Sequence, residues 1–326
     1  MKKTSLINNY AKILISIILS ISLALIICET VLRIKHKIII NYDIEMWKYA
    51  KKLKIRSENK KINHTHKKNS DAILQKVLIS TNNFGQRDEN FTNNDLKKFD
   101  RNFIVLGSSV ALGWGVEQKK TFTSVLNEMS KINKKKWKFI NGGVGNYNAE
   151  RYVNNFLENW SDLAITDIII HFFVNDTELS TVSKPNFLVE HTHVGVVVWK
   201  LVNSFKSTFK QEKLKDYYFS KYEDSFEGFK KTINELERLK EFCTKKQLTC
   251  HLVIMPDIHN LDPYQLGFIN KKMLKISKKL EYEYLDLLPV FEGQPKEKIW
   301  NDYGDPHPSA FAHKLMAEKI FNYLSK

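Results

Sequence analysis

Residues 103–116 read FIVLGSSVALGWGV and place two serines directly behind a short apolar run. Four apolar residues that end in glycine predict a buried β-strand over 103–107. The loop behind the strand is punctuated by Gly113 and Gly115, so a serine hydroxyl would be presented at the strand's end. Because serine is unreactive alone, the chemistry of this loop depends on what the rest of the chain brings to it.

The alternation of apolar and amphipathic stretches continues to the end of the chain. Further strands are predicted at 138–142, 167–174, 251–256 and 283–289. Helices are predicted at 122–132, 149–160, 226–243, 271–280 and 311–324. Strands that alternate with helices predict a parallel sheet covered by helices on both faces, which is an α/β fold of three layers. In such sheets the chemistry collects in loops at the carboxyl ends of the strands.

The N-terminal region carries an apolar run, ILISIILSISLALIICETVL, whose length is about that needed to cross a bilayer. Lysines precede the run, but no small-x-small cleavage site comes after it, which favours an uncleaved anchor over a removed signal peptide. We therefore expect a short tail over 1–12, a transmembrane signal-anchor over 13–32, a juxtamembrane tether over 33–80 and a globular domain over 81–326.

The side of the membrane on which the domain lies is less clear from charge, because basic residues flank the run at both ends. A signal-anchor with a short tail usually exports the domain behind it, so we expect a single-pass protein of the bacterial inner membrane with an extracytoplasmic domain. Cys243 and Cys250 could pair in an oxidising compartment or remain as two thiols, and the sequence leaves both states open.

The chain is strongly basic, with 51 Lys and Arg against 36 Asp and Glu and a net charge of +15. Such an excess suggests nucleic-acid binding or an acidic membrane surface. The lysines are scattered, however, and no nucleic-acid motif is present. We therefore expect solvated basic faces and no nucleic-acid partner.

One histidine near the C-terminus is well placed to act as a base. In NDYGDPHPSAFAH, His307 precedes the last predicted helix, with Asp305 two residues earlier and Asp302 further back. A nucleophilic serine needs a base to take its proton and a third group to orient that base. An aspartate close to an imidazole can fix its tautomer, so this loop and the serine loop together suggest acyl transfer.

Acyl transfer also needs hydrogen-bond donors for the oxyanion that develops on the substrate. The stretch NGGVGNYN at 141–148 supplies glycine-rich backbone, and Asn175 supplies a side-chain amide behind the strongest predicted strand. Each signal is weak alone, because glycines and Asn-Asp pairs usually form turns. All of them come after strands or precede the last helix, and this shared placement makes the set specific.

These stretches resemble the four blocks of the SGNH hydrolase superfamily, the GDSL-type esterases. The resemblance covers about residues 80–326 and implies a flavodoxin-like three-layer sandwich that needs no metal or other cofactor. It implies Ser109 as nucleophile, His307 as general base and Asp305 as the residue that orients His307. The oxyanion donors would be the N–H groups of Ser109 and of Gly145 or Asn146, with the Asn175 amide.

Two departures from the family pattern concern carboxylates. The usual Gly-Asp-Ser has Ser108 in place of its aspartate. The usual Asp-x-x-His is shortened to Asp305-x-His307 with Gly304 at the aspartate position, so either Asp305 or Asp302 could orient the histidine.

The function that these residues favour is a membrane-anchored serine esterase or deacylase. A close variant is an O-acyltransferase or deacetylase of a cell-envelope polysaccharide, whose substrate contacts we expect in the aromatic-rich segment 187–222. The alternative function, from another class, is that of a non-catalytic relative that binds a glycan or a protein partner in the cleft corresponding to the family's active site. We expect no metal site at His171, His191 or His193, and a solvated loop at His64 and His66.

Overall fold

The protein is described from a computed structural model, which covers residues 2–179, 187–208, 214–302 and 304–326. It divides into two compact units. One unit comprises residues 1–48 and 183–211, and the other comprises residues 49–182 and 212–326. The second unit contains the sheet and all the residues implied in catalysis.

The helices of the described residues, in chain order, are α1 (Lys2–Ile38), α2 (Tyr42–Leu53), α3 (Asn93–Leu96), α4 (Ser109–Leu112), α5 (Phe122–Ile132), α6 (Ala149–Asn159), α7 (Phe187–His191), α8 (His193–Thr208), α9 (Leu214–Lys221), α10 (Glu227–Lys246), α11 (Gly267–Lys279), α12 (Leu288–Phe291), α13 (Lys296–Ile299) and α14 (Ala310–Leu324). The strands are β1 (Lys54–Arg56), β2 (His64–His66), β3 (Asp71–Leu74), β4 (Val77–Ser80), β5 (Arg101–Gly107), β6 (Trp137–Gly143), β7 (Asp167–Phe173), β8 (Thr249–Met255), β9 (Glu283–Asp286), β10 (Trp300–Asp302) and β11 (Asp305–Pro308).

Five strands form the central sheet in the order β6-β5-β7-β8-β9, and every neighbouring pair is parallel. The chain first winds from β5 to β6 and then crosses back to β7 on the other side of β5. Ligand sites of open α/β sheets lie at such a reversal, at the carboxyl ends of the strands. The predicted three-layer fold with a parallel sheet is therefore confirmed.

The sheet is buried on both faces because its strands are apolar at nearly every position. In β5, Phe103 and Val105 point to one core, whereas Ile104 and Leu106 point to the other. Helices α5 and α14 contribute to the core on the first face, and helices α6, α10 and α11 contribute to the core on the second. The period-2 alternation of a strand thus fills both layers at once.

The N-terminal unit is built around α1. Its segment Tyr10–Ile38 is long and apolar enough to cross a membrane, by length and composition. Glu29 interrupts this apolar run, and its carboxylate accepts hydrogen bonds from the backbone N–H groups of His193 and Val194 at 3.1 and 2.9 Å. These donors open α8, whose first-turn N–H groups have no partner within the helix, so Glu29 satisfies them.

Residues 49–80 differ from the solvated tether that the sequence suggested. They form two antiparallel hairpins, β1–β2 and β3–β4, and lie in the same unit as the central sheet. Ile62, Leu74 and Ile79 are fully buried. His66 is also buried, and both His64 and His66 are in a strand, so the expected solvated loop at these histidines was wrong.

Cys243 of α10 and Cys250 of β8 form a disulfide. Of the two states that the sequence left open, the structure therefore has the bonded one.

Candidate active site

The candidate nucleophile lies where β5 ends and α4 begins. Ser109 is the first residue of α4 and is partly exposed, whereas Ser108 is the buried N-cap residue. Gly107, two residues before Ser109, pairs with Gly143 of β6 and with His171 of β7. The loops that carry Ser109, the 144–148 stretch and Asn175 therefore leave the sheet at the same edge and at nearly the same level.

Ser109, His307 and Asp305 form a continuous hydrogen-bond chain. The distance from Ser109 Oγ to His307 Nε2 is 2.9 Å, and the distance from His307 Nδ1 to Asp305 Oδ1 is 2.5 Å. The carboxylate can only accept, so Nδ1 carries the proton and donates it, and the Nε2 lone pair faces the serine hydroxyl. His307 is thereby held in the tautomer that a general base requires.

The loop that carries His307 is a small hairpin. Strand β11 contains Asp305 and His307 and pairs with β10, with Asp302 opposite Asp305. Asp302 is exposed, and its carboxylate accepts from the Gly304 N–H at 3.2 Å. The structure therefore brings Asp305, and not Asp302, to the imidazole.

Trp114 holds the far side of Asp305. Its indole Nε1–H donates to Asp305 Oδ2 at 2.9 Å, and both side chains are almost fully buried. The sequence pattern assigned no role to Trp114, although the tryptophan between two glycines was visible. A buried carboxylate whose two oxygens each accept a hydrogen bond is fixed in orientation, so Trp114 helps to set the direction of His307.

Arg87 is a second residue that the sequence pattern did not single out. Its guanidinium donates to the carbonyl oxygens of Leu112, Gly113 and Val116 at 3.0, 2.6 and 2.7 Å. Gly113 has a φ of +80°, a conformation that favours glycine, and it ends α4. Arg87 thus satisfies carbonyls that the short helix and its turn leave unpaired.

The two candidate backbone donors of the 144–148 loop differ in what their N–H groups meet. The Gly145 N–H donates to the Tyr49 hydroxyl at 2.9 Å, and a Cβ on Gly145 would lie 2.6 Å from the Tyr49 ring. Asn146 has a φ of +67°, and its N–H has no acceptor among the described residues. The structure therefore leaves the N–H of Asn146, and not that of Gly145, open to a ligand.

Tyr49 connects this loop to the neighbouring hairpin. Its hydroxyl meets His66 Nε2 at 2.5 Å, and His66 Nδ1 meets the Gly85 carbonyl at 3.0 Å. Each group can donate in turn, from Gly145 N–H to Tyr49, from Tyr49 to His66 and from His66 to Gly85. The ring of Tyr49 also packs against Trp114, with centroids 5.3 Å apart.

Asn175 lies in the turn after β7, and its Oδ1 atom is buried without a hydrogen-bond partner among the described residues. The next residue, Asp176, is fully buried, and its carboxyl group accepts from the Phe173 N–H and from the Tyr152 hydroxyl. Burial raises the pKa of Asp176 to about 8. Asp176 therefore fixes the turn that presents Asn175 while keeping its own proton near neutral pH.

The three histidines considered as metal ligands lie in three different elements. His171 is fully buried in β7 and stacks on Phe122, with centroids 5.2 Å apart. His191 ends α7, and His193 begins α8. Within the described ranges, no group of three or more His, Cys, Asp or Glu side chains is placed to hold a metal ion.

The comparisons with known proteins return structural matches only. No family model matches the chain, and no curated protein matches it in sequence. The matched structures include the psychrotrophic esterase EstA from Pseudoalteromonas sp., at 11% identity and a TM-score of 0.45, which covers 69% of this chain and 97% of that one. A member of the lipolytic protein G-D-S-L family from Veillonella parvula DSM 2008 matches at 15% identity and a TM-score of 0.42 over 69% of this chain and 99% of that one.

A third match is a mutant of Axe2, an acetyl-xylooligosaccharide esterase from Geobacillus Stearmophilus. It is 12% identical with a TM-score of 0.44, over 70% of this chain and 95% of that one. The family named for the Veillonella protein is the one that the four sequence blocks resemble.

Proposed function

We propose that this chain is a serine esterase of the SGNH type. It would remove acyl groups from esterified hydroxyls of its substrate through an acyl-enzyme. The observation that carries the proposal is the chain of hydrogen bonds from Ser109 to His307 to Asp305, at 2.9 and 2.5 Å. It lies at the reversal of strand order, where open α/β sheets place their sites. Ser109 is partly exposed, so an ester can reach it.

In the acylation step, Ser109 Oγ attacks the carbonyl carbon of the ester while its proton passes to His307 Nε2. The carbonyl electron pair moves to oxygen, and Asp305 stabilises the imidazolium that forms. The oxyanion would accept from the N–H groups of Ser109 and Asn146 and from the Asn175 amide, because these donors leave the same edge of the sheet. His307 then protonates the departing alcohol oxygen as its bond to carbon breaks, which leaves an acyl-serine.

In the deacylation step, His307 takes a proton from a water that attacks the acyl carbon. The acid is released, and the proton returns to Ser109. A second hydroxyl in place of water would transfer the acyl group to a new acceptor. The same residues serve hydrolysis and transfer, so an O-acyltransferase is a variant of this function and shares its test.

For the setting, we propose a single-pass protein of the bacterial inner membrane whose site faces the extracytoplasmic side and acts on an ester-bearing envelope glycan. The apolar helix Tyr10–Ile38 supports the anchor. In the same unit, α8 exposes Val198, Trp199, Leu201 and Val202, which suits a lipid environment. The disulfide between Cys243 and Cys250 supports an oxidising compartment.

The adjacent serines provide a matched test. The full chain, purified in detergent, is assayed on p-nitrophenyl acetate beside Ser109→Ala and Ser108→Ala. We expect Ser109→Ala to lower kcat/KM by about 1,000-fold or more, and a fluorophosphonate to label Ser109. Ser108→Ala should remain active, because Ser108 makes no side-chain cap for α4. Equal rates for all three proteins would overturn the proposal in favour of a non-catalytic binding protein.

A further inference from the structure

The 144–148 loop is bordered by two cations that have no carboxylate partner among the described residues. Lys54 Nζ donates to the side-chain oxygen of Asn146 at 2.7 Å, and Arg151 Nη1 donates to the backbone oxygen of the same residue at 2.6 Å. Neither side chain forms an ion pair within the described part of the chain. The two charges therefore meet at one exposed residue, Asn146, whose N–H has no acceptor among the described residues.

Arg151 is withdrawn from water, and Lys54 is withdrawn in part. Arg151 is 7% exposed, Lys54 is half-buried, and the Nζ of Lys54 lies 4.4 Å from the centre of the Tyr49 ring. Burial and the charge of Arg151 lower the pKa of Lys54. Burial lowers the pKa of Arg151 also, and Tyr147 and Glu150 act in the opposite direction. Two like charges brought together out of water oppose each other, and buried charges are normally paired.

Glu150 acts on Arg151 electrostatically but forms no ion pair with it, and two other neighbours, His64 and Tyr147, carry no negative charge. His64 donates through Nε2 to the Gly145 carbonyl at 3.0 Å, and burial together with Lys54 lowers the pKa of His64 to about 2, so it is neutral. The Tyr147 hydroxyl donates to the His64 carbonyl and stays protonated. A neutral donor would hold the Asn146 side chain equally well, so positioning Asn146 does not require two cations.

We infer that Lys54 and Arg151 form a subsite for an anionic group of the substrate, a carboxylate or a phosphate, close to the ester that Ser109 attacks. A carboxylate or phosphate group of the substrate, bound between the two side chains, would offset the repulsion between their charges and supply the hydrogen-bond acceptors that both side chains favour. This inference rests on the proposed function, and it narrows the substrate from any ester-bearing glycan to an acidic one. The anion would lie beside Asn146, on the sugar that carries the ester or on its neighbour.

The test compares acetylated polygalacturonate, which is anionic, with acetylated xylan, which is neutral. We expect Lys54→Met and Arg151→Met to lower kcat/KM for the anionic polymer by about 10- to 100-fold relative to the neutral one. Lys131→Met removes the same charge from an exposed position on α5 and should leave this ratio unchanged. Equal losses on both polymers would mean that the two residues only position Asn146, which would overturn the inference.

Two further measurements keep the result decisive. With the unaltered protein and p-nitrophenyl acetate, galacturonate and galactose 6-phosphate are compared with galactose as inhibitors. Inhibition by galacturonate but not by galactose 6-phosphate would show that the subsite binds a carboxylate, and the reverse result would show that it binds a phosphate. Equal inhibition by all three sugars would refute the subsite. If no ester is cleaved at all, the proposed function fails. Calorimetric binding of oligogalacturonate to Ser109→Ala, weakened by salt and by Lys54→Met, would then still establish the subsite, and absence of binding would exclude it.

Discussion

The bond from Trp114 to Asp305 offers a test of how the base is oriented. Trp114→Phe keeps an aromatic ring in the core but removes the indole N–H, which lies 2.9 Å from Asp305 Oδ2. Trp114 is 1% and Asp305 is 3% exposed, so water does not readily replace the lost donor. A hydrogen bond to a buried charged group contributes about 1.5–3 kcal/mol.

This hydrogen bond keeps Asp305 aligned as His307 becomes charged, so its loss raises the free energy of the transition state by the same amount. One factor of ten in rate corresponds to about 1.4 kcal/mol, so we expect kcat/KM to fall by about 10- to 100-fold. KM should change little, because the Trp114 side chain is buried and the ester does not reach it. The assay is hydrolysis of p-nitrophenyl acetate, with thermal unfolding measured in parallel.

Trp160→Phe is the matched control. The Trp160 indole N–H also donates to a protein oxygen, the Phe84 carbonyl at 3.0 Å, and Trp160 is 3% exposed. It touches neither Asp305 nor His307, so its loss should lower Tm and leave kcat/KM close to the parent value. If Trp114→Phe behaves in the same way as Trp160→Phe, the bond to Asp305 is only structural and its role in orienting the base is refuted.

Two further predictions concern stability. Tyr49→Phe leaves the buried Gly145 N–H and His66 Nε2 without partners and should lower the free energy of unfolding by about 1–3 kcal/mol. An unchanged urea midpoint would contradict this. The control, Tyr323→Phe, removes a partly buried hydrogen bond to His251 and should lower the free energy of unfolding by less. Asp176 has a folded pKa of about 8 against about 3.9 unfolded, so its contribution to stability is complete below about pH 4 and is lost as the pH rises towards 8. Asp176→Asn should therefore flatten the fall in unfolding free energy between about pH 5 and 8. An unaltered pH profile would refute the raised pKa of Asp176. Asp162→Asn, at an exposed position, serves as the control.

The apolar runs determined the sheet without help from tertiary structure. FIVLG became β5, and the run at 167–174 became β7, because short, mainly apolar runs bounded by turns suit a strand buried on both faces. Parallel strands then bring their carboxyl ends to one edge. Ser109, Asn175 and the 144–148 loop were therefore gathered by local pattern and topology alone.

The sequence did not decide among local alternatives whose outcome depends on distant contacts. Spacing left both Asp302 and Asp305 open as partners of His307, and the β10–β11 hairpin points only Asp305 at the imidazole. The glycine-rich loop offered two N–H donors, and Tyr49, 96 residues away in sequence, occupies the one on Gly145. Residues 49–80 carry many charges and looked solvated, because a few buried side chains spaced among lysines leave no clear period.

Periodicity and the order of the motifs depend on the local strand, helix or turn to which a residue belongs. This local information was sufficient to predict the fold and the positions of Ser109, Asn175 and His307. Which carboxylate faces the base, which backbone N–H stays open and where two unpaired cations meet are set by side chains that the folded chain brings together from far apart. Only the tertiary structure decided those contacts, because hydrogen bonds and charge pairs depend on distances that sequence separation does not encode.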